Sequence, residues 1–202
     1  MRIAGSLWSV PEGARLATAL RLRDAGLRHL HWDTTDGRFA AAGGFSPEAA
    51  AALAAASGLE AEAHVMAHRS AQDVDAWADF CDLVIVHLES DDWKSALDRV
   101  VRRGARPGLA VSPQTDAATV PSDVAVLCMS IVPGQAGSAF DHGVLAKLDT
   151  LRTASPDRLL GVDGGVRREH ADALARAGAD WVVVGTDLVF DGEAAWADLL
   201  ER

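Results

Sequence analysis

Three stretches of this sequence carry the residue types of metal and proton-transfer chemistry: His31-Trp32-Asp33, His64, and Asp163 at the head of an Asp-Gly-Gly turn. Side chains of an extended segment alternate between faces, so His31 and Asp33 share one face and Trp32 takes the other. Alone, such a pair reads first as a structural hydrogen bond. His64 and Asp163, however, stand at two further ends of apolar runs, so two imidazoles and two carboxylates can converge if those runs lie side by side. That donor set suits one divalent transition ion, zinc, iron(II), manganese or cobalt. Without a ligand, four polar groups gathered in an apolar mouth are costly. Ser6, His87 and Glu89 occupy similar ends, and the His87–Glu89 pair reads equally as support for a metal site or as a buried hydrogen-bonded pair.

Glycines give a second signal. Asp163-Gly164-Gly165, Gly185-Thr186 and Pro133-Gly134-Gln135-Ala136-Gly137 offer backbone amides with little side-chain cover, which suits capture of an anion such as a phosphate. Each taken singly is a turn. Asp187–Phe190 has the place of a short helix that completes such a site. The formal charge of −10 argues against nucleic acid as a partner, since a phosphate backbone would meet the wrong sign over an extended face. One small anion held by amides is still compatible with it.

The elements that must position these residues alternate along the chain. Strand-type runs are expected at Arg2–Trp8, Arg28–Asp33, Leu59–Met66, Leu83–His87, Arg106–Val111, Val124–Ile131, Arg158–Asp163 and Trp181–Gly185. Between them lie helical runs at Glu12–Ala25, Pro47–Ser57, Ala71–Phe80, Asp91–Arg103, Asp141–Ala154 and Arg167–Ala177, with Glu193–Glu201 at the end. Thr115–Ser122 is too short for a regular helix. Eight βα units in 202 residues predict a single compact (β/α)8 TIM barrel over residues 1–202, at about 25 residues per unit. The rival open dinucleotide-binding sheet wants a glycine-rich turn after its first strand, where this chain has Ser6-Leu7-Trp8-Ser9-Val10-Pro11. Ala25-Gly26 and Ala177-Gly178 suit left-handed helix ends. No apolar run is long enough to span a membrane, no secretory core follows Met1, and Cys81 and Cys128 lack metal spacing, so a cytoplasmic protein with buried thiols is expected.

Taken in order, these pieces resemble the ribulose-phosphate 3-epimerase family over nearly the whole chain. The family's Pro-Ser-Ile-Leu-Ser stands here as Gly5-Ser6-Leu7-Trp8-Ser9, and its His-x-Asp-x-Met-Asp-Gly-x-Phe as the segment from His31 to Phe39. His64-Val65-Met66, His87-Leu88-Glu89, Met129-Ser130-Ile131-Val132-Pro133-Gly134, Val162–Gly165 and Gly185-Thr186 follow. The resemblance implies a metal held by His31, Asp33, His64 and Asp163, with Asp33 and Asp163 as the catalytic acid/base pair on opposite faces of a ketose phosphate. Epimerisation at C3 would then pass through a cis-enediolate, by default from D-ribulose 5-phosphate to D-xylulose 5-phosphate. It also implies substrate contacts from Ser6, His31, His64, Met66, Met129, Gly134, Gln135, Ala136, Gly137, Asp163, Gly164, Gly165, Gly185 and Thr186, and a homo-oligomer.

The departures fall on the substrate envelope. Thr35 replaces a methionine, Gln135-Ala136 replaces Phe-Gly, Gly5 replaces proline, Arg38 stands where histidine is common, and Ala40-Ala41-Ala42 replaces Val-Pro-Asn. The alternatives are therefore an epimerase of another ketose phosphate, such as a hexulose 6-phosphate, or a non-catalytic sugar-phosphate-binding paralogue. Related decarboxylases carry a lysine on strand two, and none stands there. His29, His68, His142 and His170 are expected in surface or packing roles, Trp8 in core filling before a place at the barrel mouth, and Asp36 in a turn with Gly37.

Overall fold

The computed structural model describes residues 1–135, 137–190 and 192–200. Its strands are β1 (Arg2–Ser6), β2 (His29–Thr35), β3 (Gly43–Gly44), β4 (Glu60–Met66), β5 (Leu83–His87), β6 (Arg106–Val111), β7 (Ala125–Met129), β8 (Leu160–Asp163) and β9 (Trp181–Val184). Helices α1 (Arg15–Asp24), α2 (Pro47–Ser57), α3 (Val74–Ala78), α4 (Trp93–Arg103), α5 (Gly143–Ala154), α6 (Ala171–Arg176), α7 (Thr186–Val189) and α8 (Glu193–Leu200) alternate with them. All strands except β3 run parallel, in the order β1-β9-β8-β7-β6-β5-β4-β2, and β1 pairs with β2. That last pairing closes the sheet into a TIM barrel.

Local chemistry sets the element ends. Ser46 accepts the Ala49 amide with its hydroxyl at 3.2 Å, Pro47 opens α2, and Gly58 closes it at φ +69°. Gly26 and Gly178 both adopt positive φ, as the Ala-Gly pairs predict. Strand β1 stops at Ser6 and β7 at Met129, two residues before the expected ends in each case. The Thr115–Ser122 connection contains only a 3-10 turn at Ala117–Thr119.

Strand β3 lies outside the eight expected strand runs. Two glycines carry no strand pattern, yet Gly43 and Gly44 pair antiparallel with Thr35 and Thr34. The pairing needs glycine, because a Cβ on Gly44 would lie 2.2 Å from the Asp33 carbonyl oxygen. The pairing folds the loop after β2 back across the barrel mouth.

Two cores result. The larger lies between sheet and helices and includes Trp32, whose ring meets Phe45 edge-on at 4.8 Å. The smaller fills the barrel itself, with Leu83, Ile85, Leu127, Trp181 and Val183. Trp181 fits only because residue 161 is glycine; a Cβ there would sit 2.2 Å from the indole. The barrel is thus packed, as a small eight-stranded barrel must be.

Candidate active site

Strand register brings the chemical residues together. Ser6 lies beside His31, Asp33 beside His64, and Met129 beside Asp163 on neighbouring strands. Ser6, Met129 and Asp163 close their strands, His31 and Asp33 lie within β2 and His64 within β4, and the period of two turns them inward. One ligand-capable atom from each of His31, Asp33, His64 and Asp163 lies within 4.8 Å of the others. His31 Nε2 is 3.2 Å from Asp33 Oδ1, and His64 Nδ1 is 3.2 Å from the same oxygen and 3.7 Å from Asp163 Oδ2. Ser6 Oγ donates to Asp33 Oδ2 at 3.2 Å.

The far side of each imidazole is held. His31 Nδ1 meets Glu62 Oε1 at 2.8 Å, and Trp181 Nε1 donates to that oxygen at 3.1 Å. His64 Nε2 faces His87 Nε2 at 2.9 Å, and His87 Nδ1 meets Glu89 Oε2 at 2.9 Å. Glu89 also accepts from Ser112 N and Thr115 Oγ1. Phe39, from the loop after β2, covers the His87 ring at 4.5 Å between centroids.

Burial and charge drive the acid groups apart. Burial, then the neighbouring Asp33 charge, pushes the Asp163 carboxyl up to about 6. Burial also opposes the Asp33 charge, but the charges and hydrogen bonds of His31 and His64 outweigh it and hold Asp33 well below the usual carboxylate range. His31 is raised well above its ordinary value by Asp33 and Glu62 against its own desolvation. Burial pushes His87 down to about 4, so near neutrality it is an uncharged ring able to accept from His64.

The donor chemistry fits a divalent cation. Two nitrogens and two carboxylate oxygens face one point, and a cation there would offset the Asp33–Asp163 repulsion. The bonds on the outer nitrogens leave His31 Nε2 and His64 Nδ1 directed at that point.

Above the cluster opens a cavity of about 480 Å³, lined by Ser6, Asp33, Met66, Met129, Asp163 and glycines 134, 137, 164, 165 and 185, together with Thr186. A Cβ on Gly164 would meet Ile131 Cγ1 at 2.5 Å, and one on Gly165 would meet the Ser138 oxygen at 2.7 Å. Glycine is what lets the loops after β7 and β8 close together. Helix α7 starts at Thr186, in the place expected for a short extra helix.

Several expectations need correction. His31 and His64 have no exposed surface and lie beneath the cavity floor, not on its wall. Gln135 is exposed and is not among the lining residues, and Ala136 lies outside the described residues. Trp8 takes the second of its two expected places, lining the cavity, where a Cβ on Gly43 would lie 3.1 Å from its indole. His170 also reaches the wall, its ring stacked on Phe140 at 4.1 Å. Asp36 behaves as expected, accepting the amides of Arg38, Phe39 and His68 at 2.7–2.8 Å. Glu62 joins the site without having been among the expected residues, on the same strand parity as His64.

Residues 2–189 match the Ribulose-phosphate 3 epimerase family model. The chain belongs to the ribulose-phosphate 3-epimerase family. The ribulose-phosphate 3-epimerase of Chlamydia muridarum is 32% identical over 190 residues, covering 86% of this chain and 83% of the relative. That of Chlamydia pneumoniae is 32% identical over 189 residues, covering 87% and 82%. Among solved structures, a 3-hexulose-6-phosphate synthase superposes with a TM-score of 0.72 at 19% identity, covering 99% of this chain and 98% of that one, which speaks for the barrel alone. As a member of the ribulose-phosphate 3-epimerase family the chain is an isomerase of the epimerase type, acting on carbohydrates. Among the described residues, no helix is long and apolar enough to cross a membrane.

Proposed function

We propose that this chain interconverts D-ribulose 5-phosphate and D-xylulose 5-phosphate by removing the C3 proton from one face and returning a proton to the other. The observation that carries this reading is the meeting of Asp33 and Asp163 in one buried cluster beneath the cavity. Two carboxyls there can serve as base and acid in turn. Asp33 takes the C3 proton; the C–H electrons move toward the C2 carbonyl and give a cis-enediolate; Asp163 then delivers a proton to the other face. In reverse the roles exchange.

His31, Asp33, His64 and Asp163 would hold one divalent ion, of zinc, iron(II), manganese or cobalt. When bound, that ion supplies the positive charge that stabilises the developing enediolate. Ser6 orients Asp33 through its hydroxyl, and Met66 and Met129 place thioethers against the reacting carbons. Gly134, Gly137, Gly164, Gly165, Gly185 and Thr186 surround the phosphate, with backbone amides as donors. The reading treats residues 1–202 as one barrel domain, a homo-oligomer acting in the cytoplasm. The cytoplasmic isoform that names a rice relative supports the location.

The test is incubation with each pentulose 5-phosphate in heavy water. Deuterium at C3 of the product is expected, and Asp33→Asn and Asp163→Asn should each lower kcat by about 10²-fold or more while circular dichroism stays that of the barrel. Faster turnover of a hexulose 6-phosphate would reassign the substrate. Tight binding of sugar phosphates without any C3 exchange would make the chain a binding protein.

A further inference from the structure

We infer that Glu62, pinned by Arg2 and Trp181, is a positioning residue that fixes the ring of His31 and so sets the affinity of the four-residue cluster for a divalent cation. The inference rests on the reading of that cluster as a metal site.

Glu62 lies on β4 two residues before His64, so both side chains turn into the barrel, and it stands beside His31 on β2. It is 1% exposed. An apolar side chain would be the default for such a position, since Leu83 and Trp181 occupy the same interior. A carboxylate there survives only with its oxygens satisfied. Oε2 takes a short ion pair from Arg2 Nη2, and Oε1 takes Trp181 Nε1 at 3.1 Å. Trp181 is itself fixed, because Gly161 leaves its ring one slot in the barrel.

With both oxygens anchored, the carboxylate plane has no freedom to follow His31; the imidazole must orient to it. The 2.8 Å contact goes to Nδ1, which therefore donates, and this leaves Nε2 toward Asp33 and the centre. A merely structural Glu62 would need only Arg2 and Trp181. The third bond, to a ligand's outer nitrogen, is the arrangement by which a neighbouring carboxylate orients a metal-binding histidine and strengthens its donor atom. His64 is treated differently, its outer nitrogen reaching a carboxylate only through His87. The two histidines thus present unlike nitrogens, Nε2 and Nδ1, and each needs its own support.

The experiment uses the full chain without substrate. Zn²⁺ affinity is measured by chelator competition for wild type, Glu62→Leu, Glu62→Gln and Trp181→Phe, and the His31 ring protons of the Zn²⁺-loaded proteins are followed by nitrogen-resolved NMR. Wild type should show a slowly exchanging, downfield Nδ1 proton. Glu62→Leu should lose that signal and weaken Zn²⁺ binding by about 10–100-fold. Trp181→Phe, which keeps the carboxylate and its contact with His31 but removes the indole bond to Oε1, should weaken binding several-fold and speed exchange of the same proton. Should Glu62→Leu fail to fold, Glu62→Gln and Trp181→Phe decide. Folded variants with unchanged Zn²⁺ affinity would overturn the inference, as would a wild-type chain that binds no Zn²⁺. Epimerase assays are scored apart, so a chain that binds Zn²⁺ in a Glu62-dependent way but turns over no ketose phosphate sinks the functional reading and leaves this one standing.

Discussion

At the residue scale, the site concentrates charge that its own fold resists. Asp163 keeps its proton up to about pH 6 in the fold, whereas an unfolded chain releases it near 4. A folded pKa above the unfolded one means stability that is full below pH 4 and lost as pH rises through 6. Metal-free Asp163→Asn is therefore expected to exceed metal-free wild type in stability at pH 8 by roughly 1–3 kcal/mol. The advantage should vanish near pH 4, and thermal melts of both proteins across this range check it. Added Zn²⁺ should reverse the order at pH 8, since the variant gives up a ligand. The convergence of His31, Asp33, His64 and Asp163 was legible because they stand in or near the ends of apolar runs, His31 and Asp33 sharing one parity. Glu62 was legible in principle by the same alternation, Glu60, Glu62 and His64 sharing one parity. An acidic residue early in a strand reads equally as a solvated end, as Glu60 is.

At the scale of elements, the loops above β2 and β7 act on one another. Gly134 has φ +78°, and a Cβ there would come within 2.6 Å of the Ala40 Cβ. Gly134→Ala should push the two loops apart and raise KM for the ketose phosphate about 10-fold, with a stability cost of only about 1 kcal/mol. Steady-state kinetics beside a denaturant titration separate these effects; an unchanged KM would show that the loop contact does not shape the pocket. Thr35 also belongs to this device, because its hydroxyl donates to the Ala41 carbonyl at 2.7 Å. The departure from the family's methionine thus serves the loop's own closure. Strand β3 could not be read in advance, since a Gly-Gly pair has no hydrophobic pattern and its pairing depends on the absence of a side chain. Strand ends were overextended at β1 and β7 for a related reason. Leu7 is buried outside the sheet, and Ile131 packs on the interior cluster as part of a loop, so apolar character continued past the last ladder bond.

At the scale of the whole molecule, the count of βα units and the missing glycine-rich turn already favoured a closed barrel over an open sheet. Closure itself depends on Ala4, Gly5 and Ser6 meeting His29, Leu30 and His31, a contact between the first two strands that periodicity does not contain. The indole of Trp181 and the aliphatic side chains around it stop the barrel from below. Among the described residues the cavity of about 480 Å³ opens above His31, Asp33, His64 and Asp163. An ion held by those four residues would share that opening with the sugar phosphate of the proposed reaction, so ion is expected to load before sugar and bound sugar to slow its escape. Chelator should strip a loaded enzyme several-fold more slowly once ketose phosphate is saturating, a rate that a stopped-flow metal indicator reads directly; equal stripping rates would mean that the ion leaves by another route.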